Sequence, residues 1–77
     1  MSVKIRYFAS MRDRMGKAED TVALEGGSMT VAGLWKKVSG QQLPSNTLIA
    51  VNMEYTDGNA EVKNGDEVAF FPPVTGG

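Results

Sequence analysis

Only one stretch of this chain has the apolar spacing of a helix long enough to cover a sheet. After Thr30, the residues Val31, Leu34, Trp35 and Val38 fall at i, i+3, i+4 and i+7, on one helical face. Thr30 is a natural N-cap and Gly40 a natural stop. Gly33 inside the segment costs about 1 kcal/mol against alanine, so tertiary packing has to hold this helix. Trp35 sits centrally in the stripe and is assigned to the core. A chain of 77 residues makes one domain and buries only a small core. One helix must therefore pack on one face of a small sheet.

The remaining apolar residues come in short runs. Val3, Ile5 and Tyr7 alternate with Lys4, Arg6 and Phe8, which predicts a first strand over about Ser2 to Phe8. Ser10 followed by Asp13 resembles a capping box, and Gly16 a helix end, so a short helix is expected over Met11 to Met15. Asp20 to Leu24 reads as a second strand. Glu25-Gly26-Gly27-Ser28 reads as plain connection, too brief and wrongly spaced for a phosphate-binding loop. Leu43-Pro44-Ser45 is another connection. Leu48 to Val51 is apolar on both faces and suits a central strand. A strand or turn near Met53 to Tyr55 follows, with Asp57-Gly58 as a turn. Lys63-Asn64-Gly65-Asp66 turns into a final strand, Glu67 to Phe71.

This order lets the first and last strands pair in parallel at the centre of a mixed sheet crossed by the helix. The expected fold is α+β, a β-grasp or ubiquitin-like arrangement of four or five strands with one main helix and one short one. Its domain covers residues 1–71, and residues 72–77 form an extended tail.

Composition narrows the chemistry. With no cysteine and no histidine, disulfides, side-chain thiolates, the usual zinc sites and the commonest general acid–base group are excluded. No metal site is expected. A formal charge of −1 provides no basic field for nucleic acid, and Lys36-Lys37 reads as a solvated helix face. Lys4 and Arg6 interrupt the apolar N-terminal stretch, and no segment approaches membrane-spanning length. The expectation is a cytoplasmic protein that meets no membrane.

Alternation also divides the sheet into faces. If Val68 and Phe70 join Val3, Ile5 and Tyr7 in the core, then Phe71 and Phe8 point the other way, with Arg6 and Ala69. Two phenylalanines on an open face suggest a partner-binding patch; the plainer alternative is that a loop or the tail covers them. Pro72-Pro73 then ends the strand ladder, since proline has no N–H and fixes φ. The six residues from Pro72 to Gly77 reach at most about 20 Å. The tip is Gly76-Gly77, whose lack of Cβ lets it enter narrow channels. Pro73, Val74, Thr75, Gly76 and Gly77 are expected to insert into a partner and present the Gly77 carboxylate to its active site.

The run Gly65-Asp66-Glu67-Val68-Ala69-Phe70-Phe71-Pro72-Pro73-Val74-Thr75-Gly76-Gly77 resembles the small subunit of molybdopterin synthase, the MoaD type of sulfur carrier. Val3-Lys4-Ile5-Arg6-Tyr7-Phe8-Ala9 is similar to the first strand of that family. The resemblance implies a cycle. An E1-like adenylyltransferase uses ATP to adenylate the Gly77 carboxylate. Sulfur from a donor protein replaces AMP and leaves a thiocarboxylate. The carrier then docks on the large synthase subunit, in a heterotetramer, and gives its sulfur to a cyclic pyranopterin precursor. On this reading the chain is a sulfur-donating co-substrate, a non-catalytic subunit with no permanently bound cofactor.

The chemistry fits the residues. An α-carboxyl group has a pKa of roughly 3.5, so it is ionised at neutral pH and is a poor acyl electrophile. Adenylation gives it a leaving group. The carrier itself needs no catalytic side chain. Three alternatives stay open: a sulfur carrier for another pathway such as thiazole synthesis for thiamin, a ubiquitin-like modifier joined to lysines, and an interaction domain with an inert tail.

Overall fold

The last strand of the chain lies in the middle of its sheet. In the computed structural model, which describes residues 2–72, the elements are β1 (Val3–Tyr7), α1 (Ser10–Met15), β2 (Glu19–Val22), β3 (Ser28–Thr30), α2 (Val31–Ser39), β4 (Leu48–Val51), β5 (Glu54–Thr56), β6 (Glu61–Lys63) and β7 (Glu67–Phe71). Five strands form one sheet in the order β2-β1-β7-β4-β5, and β3 and β6 form a separate pair. β1 and β7 run parallel, with Ile5 opposite Val68 and Tyr7 opposite Phe70. The other pairs in that sheet, β1 with β2, β4 with β7 and β4 with β5, are antiparallel.

Parallel neighbours need a long crossover. Here the chain between them supplies α2, whose apolar stripe covers one face of the sheet. Val3, Ile5 and Tyr7 from β1, Val68 and Phe70 from β7, and Ile49 from β4 are buried with Val31, Leu34 and Trp35 from α2. Trp35 meets Phe70 edge-on, with ring centroids 4.9 Å apart, and Tyr7 flanks both rings. Such contacts contribute about 0.5–1.5 kcal/mol beyond area burial. The expected core face is therefore the observed one.

Both ends of α2 follow local rules. The Thr30 hydroxyl accepts from Gly33 N–H at 3.1 Å, and Gly40 takes the left-handed conformation at the C-cap. The connection after β5 also helps the start of the helix: Val31 N–H donates to Ala60 C=O and Ala32 N–H to Gly58 C=O. Gly58 has to approach closely, since a Cβ there would lie 3.0 Å from Leu43 Cδ2.

Three local expectations need correction. The Ser10–Asp13 capping box does not form: the N-cap of α1 is Ala9, at φ 51°, and no side chain caps it. Gly16 does close α1 in the left-handed conformation. The second strand is Glu19–Val22, not Asp20 to Leu24. Its continuation is diverted because the Asn64 amide accepts from Leu24 N–H at 3.0 Å and donates to Leu24 C=O at 3.1 Å. Ser28, expected in a connection, begins β3 and pairs with Lys63. A three-residue strand is too short to show a period of two.

Candidate functional site

The face away from α2 carries the residues that alternation sent outward. Register sets them in rows across the sheet. Glu19, Arg6, Ala69, Ala50 and Tyr55 lie side by side on five successive strands. One row towards the root of the tail, Phe71 lies opposite Leu48. Phe8 follows the end of β1, where its N–H donates to Phe70 C=O at 3.1 Å and keeps it alongside β7.

Phe8 and Phe71 stack with ring centroids 4.7 Å apart and planes 7° from parallel. Tyr55 approaches Phe71 from the other side at 6.1 Å. Phe8 is 40% exposed and Tyr55 74%, while Phe71 is half-buried. The three rings form a ridge next to Pro72, where the chain leaves the sheet. Beside the ridge lies a concavity of about 450 Å³, lined by Arg6, Phe8, Ala50, Met53, Tyr55, Glu67, Ala69 and Phe71. Arg6 Nε and Glu67 Oε2 form an ion pair at 2.8 Å along one wall.

All four residues expected at the interface, Phe8, Phe71, Arg6 and Ala69, thus line one hollow. Sequence reasoning missed Met53, Tyr55, Ala50 and Glu67. Met53 and Tyr55 come from the β4–β5 hairpin, whose loop residues Asn52 and Met53 both have positive φ, at 51° and 72°. That geometry matches the right-handed twist of the strands and normally favours Asn-Gly. Asn52 suits it, and its side chain also accepts from Glu67 N–H and donates to Asp66 Oδ1. Met53 occupies the glycine position at a conformational cost and stands 92% exposed. A large apolar residue where glycine is expected was the available signal. The five tail residues expected to insert into a partner, Pro73, Val74, Thr75, Gly76 and Gly77, lie outside the described residues.

A larger hollow of about 550 Å³ lies between α2, the segment 42–47 and the β5–β6 turn, and shares no residue with this face. The groups with displaced protonation also lie off the face. Burial and the negative charge of Asp20 push the Tyr7 phenol up. For Asp20 burial acts upward, but hydrogen bonds from Lys17 and Thr21 N–H and the charge of Lys17 outweigh it, so its carboxyl is held low. Asp66 is held low by hydrogen bonds from the Asn52 side chain and Lys63 N–H, aided by the Lys63 charge. Among the described residues no group of three or more Asp or Glu side chains is placed to hold a metal ion, and no helix is long and apolar enough to cross a membrane. What the open face offers is area: aromatic, recessed at two alanines, edged by one ion pair.

A parallel β1–β7 centre crossed by α2, with an open aromatic face at the root of the last strand, defines a ubiquitin-like β-grasp domain. Comparison with known proteins narrows the class. The model of the ThiS family matches residues 5–77. The molybdopterin synthase sulfur carrier subunit of Escherichia coli strain K12 is 34% identical over 82 residues, covering 97% of this chain and 99% of that one. SAMP1 of Haloferax volcanii superposes with a TM-score of 0.81 over the full length of both chains at 24% identity, a likeness of fold. A chain from the complex of subunits 1 and 2 of the Helicobacter pylori molybdopterin-converting factor matches at a TM-score of 0.65 and 22% identity, covering all of both chains. The chain belongs to the ThiS family, and its relatives there include the sulfur carrier subunits of molybdopterin synthase.

Proposed function

We propose that this protein is the sulfur carrier of molybdopterin synthesis. The observation that carries the reading is full-length similarity, at about one-third identity, to a sulfur carrier subunit of molybdopterin synthase. That same similarity favours a molybdopterin acceptor over thiazole synthesis, a protein modifier or an inert interaction domain. The open aromatic face adds a physical reason, since the ridge beside Pro72 can seat a partner.

In the proposed cycle the carboxylate of Gly77 is the group that carries sulfur. An E1-like adenylyltransferase joins its carboxylate oxygen to the α-phosphate of ATP and releases pyrophosphate. A sulfur donor protein then supplies sulfur at the acyl carbon, AMP leaves, and Gly77 ends in a thiocarboxylate. Docked through Phe8, Phe71, Ala69 and Arg6 on the large synthase subunit, in a heterotetramer, the carrier directs Pro73, Val74, Thr75, Gly76 and Gly77 into that subunit's active site. There the sulfur bonds to the pyranopterin precursor, water attacks the acyl carbon and breaks its bond to sulfur, and Gly77 returns to a carboxylate. The carrier supplies the covalent handle and the docking face, holds no permanent cofactor, and works in the cytoplasm.

Intact mass tests this directly. Incubation with ATP, the E1-like enzyme and a sulfur donor raises the mass by the difference between one sulfur and one oxygen. Fragmentation places that change on Gly77. Sulfur on an internal residue, or no change where the same enzyme charges another carrier, overturns the reading.

A further inference from the structure

The open face carries one feature that an apolar docking surface does not require. Arg6 and Glu67 are paired within it, with side chains 49% and 39% exposed. In the free protein water solvates both, and so exposed a pair contributes little to stability. Its surroundings are less ordinary. Arg6 stands in the same row as Ala69 and Ala50, the two small residues at the base of the hollow. Any surface that seats itself on those alanines also strips water from the guanidinium.

The pair leaves Arg6 only partly matched. Its contact to Glu67 runs through Nε, on one side of the fork. A guanidinium has five N–H donors, and a single carboxylate engages two of them in the bidentate arrangement, so Glu67 leaves at least three of the Arg6 donors for another acceptor. Glu19 lies directly across on β2 and is not bonded to Arg6. Covering donors without pairing them is costly, more so when they are charged. The planar fork is best matched by a carboxylate that takes two parallel bonds.

We infer that Arg6 determines specificity for the docking partner: the fitting surface sets an apolar side chain on Ala50 and Ala69 and a carboxylate against the terminal nitrogens of Arg6. A surface with the apolar side chain alone would bury unpaired donors, and one with a basic group there would be repelled. Selection of this kind works by penalising the wrong partner as much as by holding the right one. The inference rests on the proposed docking of this face to the large synthase subunit.

Binding to the large subunit from the protein's own source tests it, measured by calorimetry at low and high salt. The chains compared are the unaltered carrier, Arg6→Gln, Arg6→Leu and Arg6→Lys. Arg6→Gln and Arg6→Leu should each weaken binding roughly tenfold or more at low salt, with the deficit shrinking as salt rises. Arg6→Lys should recover part of the loss, because it restores charge but not the fork. Thermal midpoints of the isolated variants should stay close to that of the parent. The inference is overturned if Arg6→Leu binds as tightly as the parent, or if the loss does not depend on salt. Absence of binding by the unaltered carrier would instead overturn the docking reading itself, and this inference with it.

Discussion

Ala9 holds a backbone conformation that its side chain opposes. At φ 51° and ψ −125° it turns the chain from β1 into α1 without a glycine and without a side-chain cap. A non-glycine residue in such a region carries roughly 1–3 kcal/mol of strain. Glycine removes the strain but adds freedom to the unfolded chain, roughly 0.4–1 kcal/mol in the opposite direction. Ala9→Gly should therefore raise stability by about 1 kcal/mol, read as a higher denaturant midpoint with unchanged slope. A lower midpoint would mean that surrounding contacts, not glycine-like geometry, dictate this turn. Nothing in the sequence betrayed the position, because Ser10 and Asp13 offered a conventional helix start. The left-handed Gly16, by contrast, was legible from residue type alone.

Turns joining the elements depend on side chains from distant parts of the chain. Asn52 and Asp66 tie the β4–β5 hairpin to the entry of β7, and Asp66 also accepts from Lys63 N–H at 2.9 Å. These bonds hold the Asp66 carboxyl below the ordinary aspartate value in the folded protein. A depressed folded value means that the stabilisation is present above the unfolded pKa of about 3.9 and is lost as pH falls through the folded one. Asp66→Asn should cost about 1 kcal/mol at neutral pH, the usual worth of such a bond. The gap between variant and parent should narrow as pH falls below the unfolded value and Asp66 becomes protonated in the folded protein, as followed by thermal melts across the acid range. A gap that stays constant with pH would show that the charge of Asp66 is irrelevant to the turn. Lys63-Asn64-Gly65-Asp66 was recognisable as a turn from its residue types. Its partners were not, since Asn64 and Leu24 stand 40 residues apart.

For the whole molecule, the two faces of the central sheet do different work. Phe70 is buried against Trp35, while its neighbour Phe71 stacks on Phe8 in the open. Phe71→Arg should leave the domain folded, with a loss of about 1 kcal/mol for the broken stack. Binding to the large synthase subunit should fall by roughly thirtyfold or more, as for other aromatic anchors. Circular dichroism and a binding titration on one preparation separate the two effects. An unfolded variant would mean that Phe71 belongs to the core, and a folded variant with parental affinity would move the interface elsewhere.

The chain's alternation and helical spacing were enough, by themselves, to assign its principal elements and faces. Period-two patterns in Val3–Tyr7 and Glu67–Phe71, and the Val31-Leu34-Trp35-Val38 stripe, each offer one side free of charged residues to bury. Phe8, Phe71, Arg6 and Ala69 followed from the same periodicity. Tertiary structure alone decided the rest. The β3–β6 pair, the Asn64 clamp on Leu24 and the placing of Met53 and Tyr55 beside Phe71 all join residues far apart in sequence. Local periodicity shows which side of a strand is apolar. Which distant strand lies beside it, and so which side chains share a hollow, depends on the register that packing of the whole sheet sets.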